Sequence, residues 1–376
     1  MLIAGEASGD RIAARAVRAA KVLAQQRGEA VEVFGIAGDE CAAEGVRCLH
    51  TSAEMSVVGL VEVLRRFTFF RRVLAEMTKQ LDDARPDVLL LVDYPGFNLR
   101  LAREAARRGI RVVYYVSPQV WAWHASRVRE IREVVSTMCV ILPFEQQIYR
   151  DAGLEQSFFV GHPLVERIEE ERASWRGKEA FAARYGLDAT KDWLLVFAGS
   201  RREEVRRLLP TMTQAGSDFA QRHGMQAILV ESEAIPAETF SPYRSQELRA
   251  VRDASAVHEL MAHARIGLLK SGTTTLEAAL IGLPGVICYK THPLTFAIGK
   301  RVVKIAYIGL ANIALGRKLY PELLQGDVTP QKMCAELEQV LAGEQAFKAS
   351  LDGLAGTLRT NGPGPSRQVA SFLLAS

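Results

Sequence analysis

Little in this chain of 376 residues points to a metal centre, a disulfide framework or a membrane span. Its five cysteines, Cys41, Cys48, Cys139, Cys288 and Cys334, are scattered, and none forms a C-x-x-C pair. That spacing excludes the common zinc and disulfide signatures and fits a reducing compartment. No run of about 18 apolar residues occurs, so no segment reads as a membrane-spanning helix. The first residues carry neither a basic stretch nor an apolar signal core, which argues against secretion. Charge of one sign is also lacking: 47 Lys and Arg face 43 Asp and Glu, a net of +4. Such a balance argues against nucleic acid as a partner while leaving room for a local basic patch. Three phosphate and metal signatures are missing as well. Gly5 and Gly9 do not make the G-x-G-x-x-G dinucleotide fingerprint, no Lys-Ser/Thr completes a Walker loop, and no D-x-D ends a strand.

What is present is a rhythm. Short apolar runs, "VEVFGIAG" (31–38), "DVLLLVD" (87–93), "RVVYYVS" (111–117), "MCVILP" (138–143) and "FFVG" (158–161), alternate with amphipathic stretches such as 11–27 and 99–108. Continuous apolar runs of that length read as parallel strands buried on both faces. After a charged helical stretch (165–185) the rhythm restarts with "WLLVFAGS" (193–200), "QAILVES" (226–232), "IGLLKSG" (266–272) and "GVICYK" (285–290). The expected fold class is α/β, with two Rossmann-like domains facing each other across a cleft. The expected division is 1–165 and 166–345, followed by a helical tail, 346–376, broken at "NGPGPS" (361–366).

Both halves open alike, with a strand, a short Gly/Ser turn and a polar helix. In "MLIAGEASGD" the turn holds two carboxylates, which would repel a phosphate. A tight turn that merely lets the helix pack on the sheet would explain the small residues. The alternative is a rim that offers Glu6, Ser8 and Gly9 to a hydroxyl-rich ligand, because carboxylates accept from sugar hydroxyls. Asp93 ends an apolar strand, where ligands bind in such sheets. It suits either an Asx cap or a general base. Trp121, Trp123 and His124 follow the next strand and suit core packing or a ligand wall, and His162 reads as a structural hydrogen-bonding histidine.

In the second half, "AGSRREEV" places Gly199, Ser200 and Arg201 at a helix start, where free amides and the dipole attract phosphate. "KSGTTTLE" places Ser271, Gly272, Thr273 and Thr274 at another such start, with Glu277 one turn on. Glu277 suits ribose hydroxyls, or simply the positive end of its helix. The stretch "VGLVEVLRRFTFFRRVLAEM" (58–77) carries Leu60, Val63, Leu64, Phe67, Phe70, Val73, Leu74 and Met77 at helical spacing. Val61 and Phe69 widen that stripe, and Arg65, Arg66, Arg71 and Arg72 flank it. A core helix with a solvated basic side is one reading. A helix lying on anionic lipid is the other.

The stretches "AGEASGD", "AEMSVVGLVEVL", "RPDVLLLVDYPGFN", "YYVSPQVWAW", "LPFE", "GHP", "GSRREEV", "SGTTTLE", "PLTF" and "ANIALGR" occur in an order and spacing that resemble the lipid-A-disaccharide synthase family nearly end to end. The resemblance implies an inverting GT-B glycosyltransferase. It would transfer 2,3-diacylglucosamine from UDP to 2,3-diacylglucosamine 1-phosphate (lipid X), with no cofactor and no metal. It implies Asp93 as base, Arg201 as an essential arginine, and Glu6, Asn312 and Glu277 as further active-site positions. It implies acyl or membrane contact by Val61, Val63, Leu64, Phe67, Phe70 and Arg71, at the cytoplasmic face of the inner membrane. The chain would be a monomer or a homodimer exchanging its tail. Rival readings are a lipid II-forming transferase, a UDP-sugar epimerase, or a nucleotide-sugar binding module without catalysis.

Two departures stand out. The stretch before "AGEASGD" is only three residues long, which suggests a start codon assigned too late and a poorly anchored first strand. "AGSR" also replaces the family's "PGSR", a change of loop stiffness and not of side-chain chemistry.

Overall fold

The computed structural model describes all residues except 56–65, 122–126, 246, 294–295, 297–305 and 376. The chain divides into two compact units, Met1–Glu166 with Gly356–Ser376, and Arg167–Ala355.

In the first unit seven parallel strands form one sheet: β1 (Leu2–Ala4), β2 (Phe34–Ala37), β3 (Arg47–Thr51), β4 (Val88–Val92), β5 (Arg111–Tyr115), β6 (Thr137–Val140) and β7 (Ser157–Phe159). Their order is β3-β2-β1-β4-β5-β6-β7. The apolar runs have a plain cause. Ile3, Leu89, Leu91, Val112 and Tyr114 feed one hydrophobic layer, while Leu2, Leu90, Val92, Val113 and Tyr115 feed another. With both faces covered, alternation disappears and the central strands read as apolar runs.

The short first strand is not poorly anchored. It pairs with β2 on one side and β4 on the other. Leu2, Ile3 and Ala4 are fully buried, and the amino group of Met1 donates to the Val88 carbonyl at 2.9 Å. Gly35 makes this packing possible, because a Cβ there would stand 2.0 Å from the Leu2 oxygen and its φ is +144°. The helix Ala7–Gln26 turns Ala13, Ala16, Val17, Ala20 and Ala24 inward. The carboxy-terminal helix Pro365–Leu373 belongs to this unit too. Arg111 holds its end by donating to the Phe372 and Leu373 carbonyls at 2.5 and 2.9 Å, and Phe372 stacks on Phe158 at 4.7 Å.

The second unit has six parallel strands: β8 (Trp193–Phe197), β9 (Gln226–Val230), β10 (Leu248–Val251), β11 (Ile266–Lys270), β12 (Gly285–Tyr289) and β13 (Glu322–Leu324). The order is β10-β9-β8-β11-β12-β13. The helix Arg202–His223 lies on β8 at Gly216, where a Cβ would come within 2.7 Å of Val196. Three strands escape a reading by apolar runs: β3, β10 and β13. All three are edge strands, paired on one side only, and their sequences "RCLHT", "LRAV" and "ELL" carry the polar residues that solvated edges tolerate.

Candidate active site

A reversal of strand order opens a crevice at the carboxyl ends of the two strands flanking it. In the first unit the reversal lies between β1 and β4. That adjacency brings the turn Gly5–Glu6 beside the turn Asp93–Tyr94. The fit is tight, since a Cβ on Gly5 would meet the Tyr94 ring at 2.6 Å. Asp93 and Tyr94 have φ of 46° and 50°, two consecutive left-handed residues neither of which is glycine. Such strain persists only where the surroundings enforce it. Here the Asp93 carbonyl accepts from Asn98 Nδ2 at 2.7 Å and from the Tyr114 hydroxyl at 2.6 Å. The Tyr94 hydroxyl is tied to the Met55 carbonyl at 2.8 Å. The backbone is pinned and the carboxylate is left over the strand end.

Burial, and then the neighbouring charge of Glu6, push Asp93 up to about 6, against a smaller opposing hydrogen bond from the Tyr94 backbone. A carboxylate poised there is a usable base near neutral pH. Glu6 itself is exposed and precedes the helix that starts at Ala7, so Ser8 and Gly9 lie in its first turn, where amides are unsatisfied. The second acid of the opening motif has different work. Asp10 is buried, and its carboxylate accepts from the amides of Gly38 at 2.6 Å and Glu40 at 3.0 Å.

In the second unit the reversal lies between β8 and β11, and it juxtaposes the two anion-binding candidates. After β8, Gly199 takes φ +116° and Arg201 caps the helix Arg202–His223 with its side chain 62% exposed. After β11, Gly272 takes φ +152° and the helix Thr273–Ile281 begins. Thr273 and Thr274 supply first-turn amides there. One ion pair links the two turns: Lys270 Nζ lies 2.8 Å from Glu204 Oε1. The φ of +116° is what requires glycine at Gly199, and Glu204 Oε2 lies 2.8 Å from where a Cβ would stand. Glu204 also lies 3.8 Å from Arg201. Glu204 lies in "GSRREEV" and Lys270 opens "KSGTTTLE", but nothing local in either motif marks them as partners.

Two of the expected contact residues have their polar atoms engaged within the protein. Ser271 is buried, its amide donates to the Cys288 carbonyl at 3.0 Å and its hydroxyl to the Ile308 carbonyl at 3.0 Å, so it braces the turn. Asn312 is fully buried. Its Nδ2 donates to the Tyr320 carbonyl and to Glu322, both at 2.9 Å, and its Oδ1 accepts from the amides of Leu319 at 3.0 Å and Tyr320 at 2.9 Å. That exhausts the amide's two donors and two lone pairs. Asn312 ties the helix Leu310–Leu315 to Tyr320 and Glu322.

Glu277 sits on the helix Thr273–Ile281 beside buried His258, 3.5 Å from its Nε2. His162 is buried and pushed down to about 4 by that burial, and its Nδ1 accepts from the Leu164 amide, which makes it a neutral structural residue. Trp121 donates to buried Glu145 at 3.1 Å. Trp123 and His124 lie outside the described residues, as do Val61, Val63 and Leu64. The helix Phe67–Asp83 buries Val73, Met77 and Leu81. Phe70 packs partly against that core, whereas Phe67 is 47% exposed with the Arg71 guanidinium 5.9 Å from its ring. Among the described residues no helix is long and apolar enough to cross a membrane.

The family model described as lipid-A-disaccharide synthetase matches residues 1–361. The chain belongs to the lipid-A-disaccharide synthase family. It is 39% identical over 380 residues to the lipid-A-disaccharide synthase of Trichlorobacter lovleyi, covering 100% of this chain and 96% of that one. To the Geobacter metallireducens protein of the same name it is 38% identical over 377 residues, with the same coverage. A member of this family is a glycosyltransferase of lipid A biosynthesis. Solved structures agree on the fold, which is GT-B. The UDP-GlcNAc 2-epimerase of Neisseria meningitidis aligns with a TM-score of 0.62 at 11% identity, over 97% of this chain and 96% of that one. The calicheamicin glycosyltransferase aligns with a TM-score of 0.60 at 17% identity, over 96% and 93%. At that identity the fold is shared and the activity is not implied.

Proposed function

We propose that this chain transfers the 2,3-diacylglucosaminyl group of UDP-2,3-diacylglucosamine to the 6-hydroxyl of lipid X, with Asp93 as the base. The observation that carries the reading is Asp93 itself, a strained carboxylate at a strand-order reversal, pushed up to about 6 beside Glu6. The acceptor hydroxyl gives its proton to Asp93 as its oxygen forms a bond to the anomeric carbon. The bond from that carbon to the UDP oxygen breaks, UDP leaves with the electron pair, and the configuration inverts. Glu6, Ser8 and Gly9 position sugar hydroxyls around this centre.

Negative charge grows on the leaving diphosphate. The turn Gly199–Arg201 and the first-turn amides at Thr273 and Thr274 supply donors fixed in advance, and Arg201 adds a bidentate cation. Ser200, exposed in the same turn, and Gly272 complete the cradle, and Glu277 accepts from the ribose. The other UDP-sugar readings share the fold, but the family assignment does not favour them.

Exposed Phe67 with Arg71 supports peripheral attachment to an anionic membrane, on the cytoplasmic face where this substrate pair is met. The tail that docks on the first unit supports a monomer, or a homodimer in which two chains exchange that tail. Release of UDP from UDP-2,3-diacylglucosamine tests the reading. Release only when lipid X is present is the expected outcome. Release without acceptor, or none with it, overturns the proposal.

A further inference from the structure

A chain of four alternating charges runs through the second unit. Arg167 Nε donates to Glu171 Oε1 at 2.6 Å, Glu171 Oε2 lies 2.6 Å from His258 Nδ1, and His258 Nε2 lies 3.5 Å from Glu277 Oε1. His258 is 3% exposed. Neutral imidazole has a single N–H, so a histidine with a carboxylate at each nitrogen satisfies both only as the imidazolium. In that form the four groups sum to zero charge, and without the proton they carry −1. Burial pulls the ring down, yet Glu171 and Glu277 outweigh it and hold the imidazole above its ordinary value. Glu171 is correspondingly brought down to about 2 by His258 and Arg167, against its own burial. Neither His258 nor Glu171 belongs to any motif of the sequence.

We propose that His258 is a positioning residue for nucleotide recognition, its imidazolium clamping Glu277 Oε1 so that Oε2 is presented to the ribose hydroxyls. This rests on the assignment of Glu277 to the ribose. Three elements meet in the clamp: the helix Pro163–Arg172 brings Arg167 and Glu171, the helix Val257–His263 brings His258, and Thr273–Ile281 brings Glu277. A flexible glutamate side chain loses rotamer freedom on binding unless something holds it beforehand. A buried ion pair supplies that hold, and truncating one partner leaves the other charge uncompensated.

The test compares UDP with 2′,3′-dideoxy-UDP by titration calorimetry on the full chain, in wild type, Glu277→Ala, His258→Phe and Glu171→Gln. Wild type is expected to prefer UDP. His258→Phe is expected to weaken UDP by about tenfold, the scale of one charge-assisted hydrogen bond, while leaving the dideoxy nucleotide unchanged. Glu171→Gln, which keeps the ring but removes one of its two carboxylates, is expected to show a smaller loss of the same kind and to stay folded if His258→Phe does not. Equal weakening of both nucleotides in the His258→Phe and Glu171→Gln variants marks a merely structural role and overturns the inference, as does no weakening at all. Loss of the preference in Glu277→Ala but not in the His258 and Glu171 variants overturns the clamp alone. Its retention in Glu277→Ala overturns the ribose assignment itself.

Discussion

Replacing Asp93 with Asn should make the protein more stable and nearly inactive at once. Asparagine tolerates the left-handed backbone that Asp93 adopts, and its side-chain oxygen can still accept from the Tyr94 amide. What it removes is the charge. A folded-state value near 6 against an ordinary 3.8 means that the native protein binds the Asp93 proton more tightly than the unfolded chain does. By linkage, stability is then greatest with Asp93 protonated and falls as pH rises from about 4 through 6. The difference amounts to ~3 kcal/mol at pH 8, roughly half of that at pH 5, and well under 1 kcal/mol at pH 4. Urea denaturation of wild type and Asp93→Asn across that range should show a gain of up to ~3 kcal/mol that fades with acid. In the UDP-release assay the same variant should lose ~10²–10⁴ in turnover, the range for a positioned base. A pH-independent stability difference would refute the assignment of a desolvated charge to Asp93. Turnover within a few-fold of wild type would remove it as the base.

Three further outcomes follow from the same geometry. Glu6→Gln removes the second cause of the raised Asp93 value, so the acidic limb of the pH–rate profile should move to lower pH, and an unmoved limb would separate the two acids. Asn312→Ala strips partners from one buried and one half-buried amide, one carbonyl and the Glu322 carboxylate and should cost about 3 kcal/mol or more in denaturation of the second unit, whereas normal stability with lost activity would assign Asn312 to the substrate. Phe67→Glu should abolish pelleting with anionic vesicles without lowering the melting temperature, because Phe67 is exposed and the core of its helix is Val73, Met77 and Leu81. Unchanged pelleting would leave the membrane contact to other residues.

The sequence by itself determined the strands at the centre of each sheet. "VLLLV" and "RVVYY" sit between two hydrophobic layers, so their burial is written into composition, and the same holds for "WLLVF" and "IGLLK". The family motifs also marked Asp93, Arg201 and both glycine turns of the second unit. Edge strands such as "RCLHT" left no trace, because a strand paired on one side carries no obligatory apolar run. Only the tertiary structure decided which polar groups of a motif are taken up within the protein. Ser271 and Asn312 look as available as Thr273 in the sequence, yet their polar atoms are consumed within the protein, Ser271 by the Ile308 carbonyl 37 residues on and Asn312 by Leu319 and Tyr320 just beyond its own helix. The neighbourhood of Glu6 and Asp93 likewise exists because β1 lies beside β4, a consequence of strand order that no local pattern encodes. His258 is the extreme case. Its meaning comes from two carboxylates, one 87 residues before it in the chain and one on the helix after β11, which meet only once the second unit has folded.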